Sequence, residues 1–129
     1  MDKHTVTATF EFDDEGLIDI FSSAVYSIGY WCRIDNTRNE WYEARDELPK
    51  DCTIEDEMLH ILKKGQSIRL DDVEGDGVED YWELTLENLL KGIKLTIENR
   101  HWNGNQYDID GEIADLIFQY ALFGEIVFG

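Results

Sequence analysis

Twenty-nine Asp and Glu side chains against 11 Lys and Arg give this 129-residue chain a formal charge of −18. Any fold open to it must hold nearly all of those carboxylates at the surface, because a buried unpaired charge costs as much as a small domain is stable. It must still close a core from what remains. Hydrophobic residues make up 43% of the chain, with 4 Trp, 6 Tyr and 6 Phe, which suffices for one domain spanning 1–129. The charge also bears on function. Nucleic acid and anionic membrane are polyanions and repel such a surface, whereas a protein with a basic groove attracts it. The opening MDKHTVTATFEF lacks the apolar run of a signal peptide, and no stretch nears the roughly 20 apolar residues of a membrane span. A cytoplasmic protein with Cys32 and Cys52 as free thiols is expected.

Apolar spacing sets the expected elements. Residues 5–12, TVTATFEF, alternate as a half-buried strand. DDEG then opens a helix whose stripe is Leu17, Ile20, Phe21, Ala24, Val25 and Ile28, stopped by Gly29. YWCRID and EWYEAR read as two strands joined by the polar turn NTRN. Thr53 and Asp56 have the spacing of a capping box ahead of a helix carrying Ile54, Met58, Ile61 and Leu62, closed by Lys63, Lys64 and Gly65. SIRLDDV and VEDYWEL alternate around a glycine-rich turn. A third helix is expected over 86–101 with Leu86, Leu89, Leu90, Ile93 and Ile97 inward. Asp110 caps a fourth, facing inward with Ile113, Leu116, Ile117, Tyr120 and Ala121 and ended by Gly124, and EIVF supplies a last strand. The order β-α-β-β-α-β-β-α-α-β predicts an α+β domain, a mostly antiparallel sheet with about four helices packed against it.

The acids are unevenly spread. Asp71 to Glu87 holds eight and no base, Asp108 to the end holds five and no base, and Glu40 to Glu57 sets eight against Arg45 and Lys50. Within the first run, DVEGDGVEDYWE fits a calcium-loop template at Asp72, Asp76, Gly77 and Glu83. A calcium loop of that kind lies between helices. Here strand formers flank it, so a β-hairpin bearing carboxylates on its tip and outer face is the expectation, with weak calcium affinity at the tip left open.

Catalytic constellations are missing. His4, His60, His101, Cys32 and Cys52 match no compact zinc spacing, and His60 reads as a packing or surface histidine on a helix flank. Ser22 and Ser23 lie outside any G-x-S-x-G elbow, and Cys32 reads as core. The glycines of EGDG stand among carboxylates that repel phosphate. No cofactor is expected, and no enzyme. The aromatic pairs Tyr30-Trp31, Trp41-Tyr42 and Tyr81-Trp82 are each expected to put one ring into the core and one outside, where outward rings can anchor a partner.

SIGYW at 27–31, LTLENLLKGI at 84–93 and DIDGEIADLIFQYALFGEIVFG at 108–129 resemble the blocks of a family of small acidic proteins of tailed phages and prophages. Those read G-I-G-Y-W, then L-T-L, then D-x-I-x-Q-x-A-L-F-G-E-x-V-x-G. The resemblance implies a phage origin and action inside a bacterium, and brings no catalytic residue. The leading expectation is therefore an inhibitor of a basic host protein, a nuclease or other nucleic-acid-binding defence protein of the restriction or CRISPR kind, acting as a DNA mimic. The expected contact residues are Asp71, Asp72, Glu74, Asp76, Glu79, Asp80 and Glu83, then Glu55, Asp56 and Glu57. The alternative is a non-enzymatic accessory protein, oligomeric in one form of the reading, that binds through Trp41, Trp82 and the C-terminal EIVFG segment.

Overall fold

Asp13 opens the first helix as the sequence requires, its Oδ1 accepting the Gly16 N–H at 2.8 Å. In the computed structural model, which describes residues 2–75 and 80–129, this helix is α1, Asp14–Ser27. It is followed by β1 (Cys32–Ile34), α2 (Asn39–Glu47), α3 (Ile54–Lys63), β2 (Ile68–Asp72), β3 (Tyr81–Leu84) and α4 (Leu86–Glu98), then a 3-10 turn at Gln106–Asp108 and α5 (Gly111–Phe123). Among the described residues this is an α+β domain of five helices and one three-stranded antiparallel sheet, ordered β1-β2-β3.

Capping explains most boundaries. Thr53 and Asp56 exchange both bonds of a capping box, Thr53 N–H to Asp56 Oδ2 at 2.9 Å and Asp56 N–H to Thr53 Oγ1 at 3.2 Å. Asp110 Oδ1 accepts the Ile113 N–H at 2.8 Å, and Gly124 ends α5 in the left-handed region (φ 73) that favours glycine.

The core gathers Ile20, Phe21 and Ala24 of α1, Met58, Ile61 and Leu62 of α3, Leu89 of α4 and Ile117 and Phe118 of α5, over the sheet residues Ile68, Leu70 and Leu84. Phe21 and Phe118 meet edge to face with centroids 6.4 Å apart. Each such burial stabilises by about 1.5–3 kcal/mol. Helices α4 and α5 approach closely at Gly92, where a Cβ would meet the Ile117 carbonyl oxygen and lie 2.8 Å from Ala121 Cβ.

Among the described residues, five helices and a sheet of only three strands replace the expected mostly antiparallel sheet with about four helices, and four expectations about particular segments are corrected. Residues 5–12 form no strand; they run irregular and exposed, held by Phe12 against Trp102 (centroids 5.5 Å) and by Phe10 against Gly104 and Ile97. EWYEAR is helix α2, because Trp41 and Ala44, three apart, are the residues that go inward, at 0% and 1% exposure. Leu90 faces outward at 47% exposure, since the α4 stripe runs through Leu89, Gly92, Ile93 and Thr96. EIVF is no strand either. Its backbone instead pairs with the side chain of Gln119, whose Oε1 accepts from Val127 N–H (2.9 Å) and Phe128 N–H (2.8 Å) while Nε2 donates to the Phe128 carbonyl (3.0 Å). A buried amide thus does the hydrogen bonding of a neighbouring strand.

Candidate functional site

Cross-strand register decides what the acid-rich hairpin can present. β2 pairs with β1 as Cys32↔Asp72, Arg33↔Asp71 and Ile34↔Leu70, and with β3 as Ile68↔Leu84, Arg69↔Glu83, Leu70↔Trp82 and Asp71↔Tyr81. Alternation puts Ile68, Leu70, Leu84 and Cys32 on the inner face, all buried. The outer face then carries Arg33, Arg69, Asp71, Tyr81 and Glu83. Arg69 Nε holds Asp71 Oδ1 at 2.7 Å and its guanidinium lies 3.9 Å from the Tyr81 ring centroid. A run without bases in the sequence is therefore interleaved with two arginines from neighbouring strand positions. Asp72 accepts the Glu74 N–H (3.0 Å), and its own N–H donates to the Asp80 carbonyl (2.9 Å). Glu74, Asp80 and Glu83 are exposed. The candidates Asp76 and Glu79, with Gly77 of the expected turn, fall outside the described residues.

The helical candidates divide similarly. Glu57 is 9% exposed, and its Oε1 lies 3.2 Å from Arg45 Nε, so it is a partner inside the fold rather than a surface group. Asp56 serves the capping box. Glu55 is half-buried on the same first turn of α3.

A polar network joins the distant sequence blocks. Asp115 of α5 accepts from Tyr30 Oη at 2.6 Å, Trp31 Nε1 at 2.8 Å and Gln119 Nε2 at 3.1 Å. Around it Trp31 stacks on Phe128 (5.1 Å, 11°), and Trp82 and Phe123 close the cluster edge to face at 5.1 Å. Burial and the hydrogen bond to Asp115 push the Tyr30 phenol up to about 12. Burial and the charges of Asp115 and Asp72 push the Cys32 thiol to about 12. Both groups hold their protons at neutral pH, and Cys32 is no thiolate nucleophile. Residues of the stretches 27–31 and 108–129 thus meet to fix the tail against α5.

Cys52 and His60 line one hollow of ≈ 450 Å³ with Asp14, Asp51, Asp56 and Lys63. They do not form a nucleophile and base. His60 Nε2 lies 2.6 Å from Glu47 Oε2, and the Cys52 thiol is raised by burial and by the nearby Glu57, Asp56 and Asp51. Among the described residues no cluster of three His, Cys, Asp or Glu side chains is arranged to hold a metal ion.

The surface lacking cations lies elsewhere. Residues 4–32 and 101–129 contain no Lys or Arg. Gln106 sits over Gly16 near the start of α1, and Gly111 faces Ser27 at its end, so the chain from 106 to 111 runs along α1 in the same direction. Glu15, Asp19 and Tyr26 recur on the exposed side of α1 that borders it. Asp108, Asp110 and Glu112 follow alongside, all exposed, with Tyr26 at 90% and Tyr107 at 81%. Lys63, paired with Asp14 at 2.8 Å, bounds one edge, and Arg100, sharing a hollow with Asp108, bounds the other. The base-free C-terminal run is legible in the sequence; its position beside α1 is not. Compared with protein-family models, curated proteins and solved structures, the chain matches none.

Proposed function

We propose that this protein is a non-enzymatic, phage-encoded inhibitor that occupies the basic nucleic-acid cleft of a host defence protein, a nuclease of the restriction or CRISPR kind. The observation that carries this reading is the juxtaposition of two segments without Lys or Arg, giving a strip of Glu15, Asp19, Asp108, Asp110 and Glu112 flanked by Tyr26 and Tyr107. A basic cleft evolved for phosphates, spaced about 1.7 Å per charge along duplex DNA, attracts such a strip, and exposed tyrosines give it places to bury against the partner. The resemblance to acidic phage proteins supplies the biological setting. The hairpin carboxylates Glu74, Asp80 and Glu83 extend the acidic surface without the cation-free character of the strip. The competing reading, contact through Trp41, Trp82 and the EIVFG segment, loses Trp41, which is enclosed at 0% exposure, and keeps a half-buried Trp82 and the exposed Ile126 and Val127.

The test is recovery of partners from bacterial lysate on immobilised protein at low and high salt, followed by addition of duplex DNA. The expected partner is a nucleic-acid-binding protein released by salt and by DNA. A partner held at high salt and indifferent to DNA overturns the reading.

A further inference from the structure

Residues 5–12 carry the alternation of a strand, yet among the described residues no backbone group of residues 2–12 enters a backbone–backbone hydrogen bond. The segment lies along α4. Val6, Thr7, Ala8, Thr9 and Phe10 wall one side of a hollow of ≈ 690 Å³, and Leu90, Ile93 and Ile97 wall the other. Val6 is 91% exposed, and Phe10 and Leu90 are each 47% exposed. An uncovered run of β-branched residues with free donors and acceptors is a template for strand addition.

We infer that two copies of this chain associate through residues 3–11, paired antiparallel about Thr7, each segment lying along its own α4. Self-complementarity names the occupant. That register sets Lys3 opposite Glu11, His4 opposite Phe10, Thr5 opposite Thr9, Val6 opposite Ala8 and Thr7 opposite its twin. Lys3 is the one cation before Arg33, and it meets the one acid of residues 3–11. Thr–Thr and opposite-charge pairs are favourable cross-strand neighbours. Residues 4–10 carry no acid, so here two bodies of charge −18 approach with least repulsion. A two-stranded ribbon alone is marginal in water, but residues 6–10 already lie along α4. The pairing holds whether or not the acidic strip binds a cleft.

Sedimentation equilibrium over a concentration series reads the outcome. The full chain is expected to dimerise, and Thr7→Pro to be monomeric and to melt as the full chain does when diluted below its dimerisation range, because the substitution removes a ladder donor from an exposed segment. Lys3→Glu weakens the dimer roughly tenfold through two symmetric pairs, and exchange of both charges, Lys3→Glu with Glu11→Lys, restores it. Thr7→Cys in a Cys52→Ser background gives a disulfide-linked dimer under mild oxidation. A chain monomeric at every concentration overturns the inference, as does a dimer that Thr7→Pro leaves intact. Monomers that take up a foreign strand instead of each other also overturn it.

Discussion

Tyr30 Oη stands 2.6 Å from Asp115 Oδ2, joining residues 85 positions apart in the chain. With the phenol raised from 10.0 to about 12, the folded state holds that proton more tightly than the unfolded state does. The resulting stability is fully present below pH 10 and is lost as pH rises through 12. Denaturant midpoints measured across this range should fall in the native protein and fall less in Tyr30→Phe. In Asp115→Asn the tyrosinate absorbance of Tyr30 should appear at lower pH, because the hydrogen bond and the charge of Asp115 both raise the phenol.

Gln119 tethers the last residues through three hydrogen bonds and is itself fully buried. Gln119→Leu keeps most of the volume and leaves the Val127 and Phe128 amides without partners. The expected loss is about 2–4 kcal/mol, read by denaturant unfolding. Amide exchange at Val127 and Phe128 should quicken well beyond that of the α5 core, whereas exchange slow at both sites would contradict the tether.

Gly92→Ala in a helix interior ordinarily stabilises by about 1 kcal/mol. Here the new methyl meets the Ile117 carbonyl and Ala121, so the sign reverses. A loss of about 1–3 kcal/mol is expected from forcing α4 and α5 apart. A melting temperature at or above that of the native protein would show that the two helices are not in contact there.

Cys32 is 3% exposed on the inner sheet face, whereas Cys52 is only partly covered. A thiol reagent at neutral pH should modify Cys52 slowly, its thiol being raised, and reach Cys32 only on unfolding. Mass spectrometry after partial reaction reports which cysteine carries the label. Early label on Cys32 would mean that β1 is open to solvent.

What the sequence disclosed follows from the range of each signal. Helix α1 with its Asp13 cap, the Thr53–Asp56 box, α4, α5 with Asp110 and Gly124, and the β2–β3 pair rest on spacings within a few residues. EWYEAR was open to two periods, and the choice fell to tertiary burial of Trp41 and Ala44. TVTATFEF and EIVF have strand chemistry, but a strand also needs a neighbour. Within this chain the second finds a side-chain amide and the first finds no backbone partner among the described residues. The acid-rich hairpin gains Arg33 and Arg69 through pairings that a linear charge count does not contain. The strip along α1 likewise depends on Gln106 reaching Gly16 across 90 residues of chain.

The central claim is that the cation-free strip, rather than the arginine-laced hairpin, meets the partner's basic cleft. It is tested most directly by the affinity for the partner recovered from lysate, measured across a salt series for two charge-reversed proteins. One carries Glu15→Lys, Asp19→Lys and Glu112→Lys; the other carries Glu74→Lys and Glu83→Lys. All five carboxylates are exposed, and none has an ion-pair partner among the described residues. The expected result is loss of binding by at least about 100-fold in the first, with a flattened salt slope, and a change within about tenfold in the second. Full affinity and an unchanged slope in the first protein would contradict the claim.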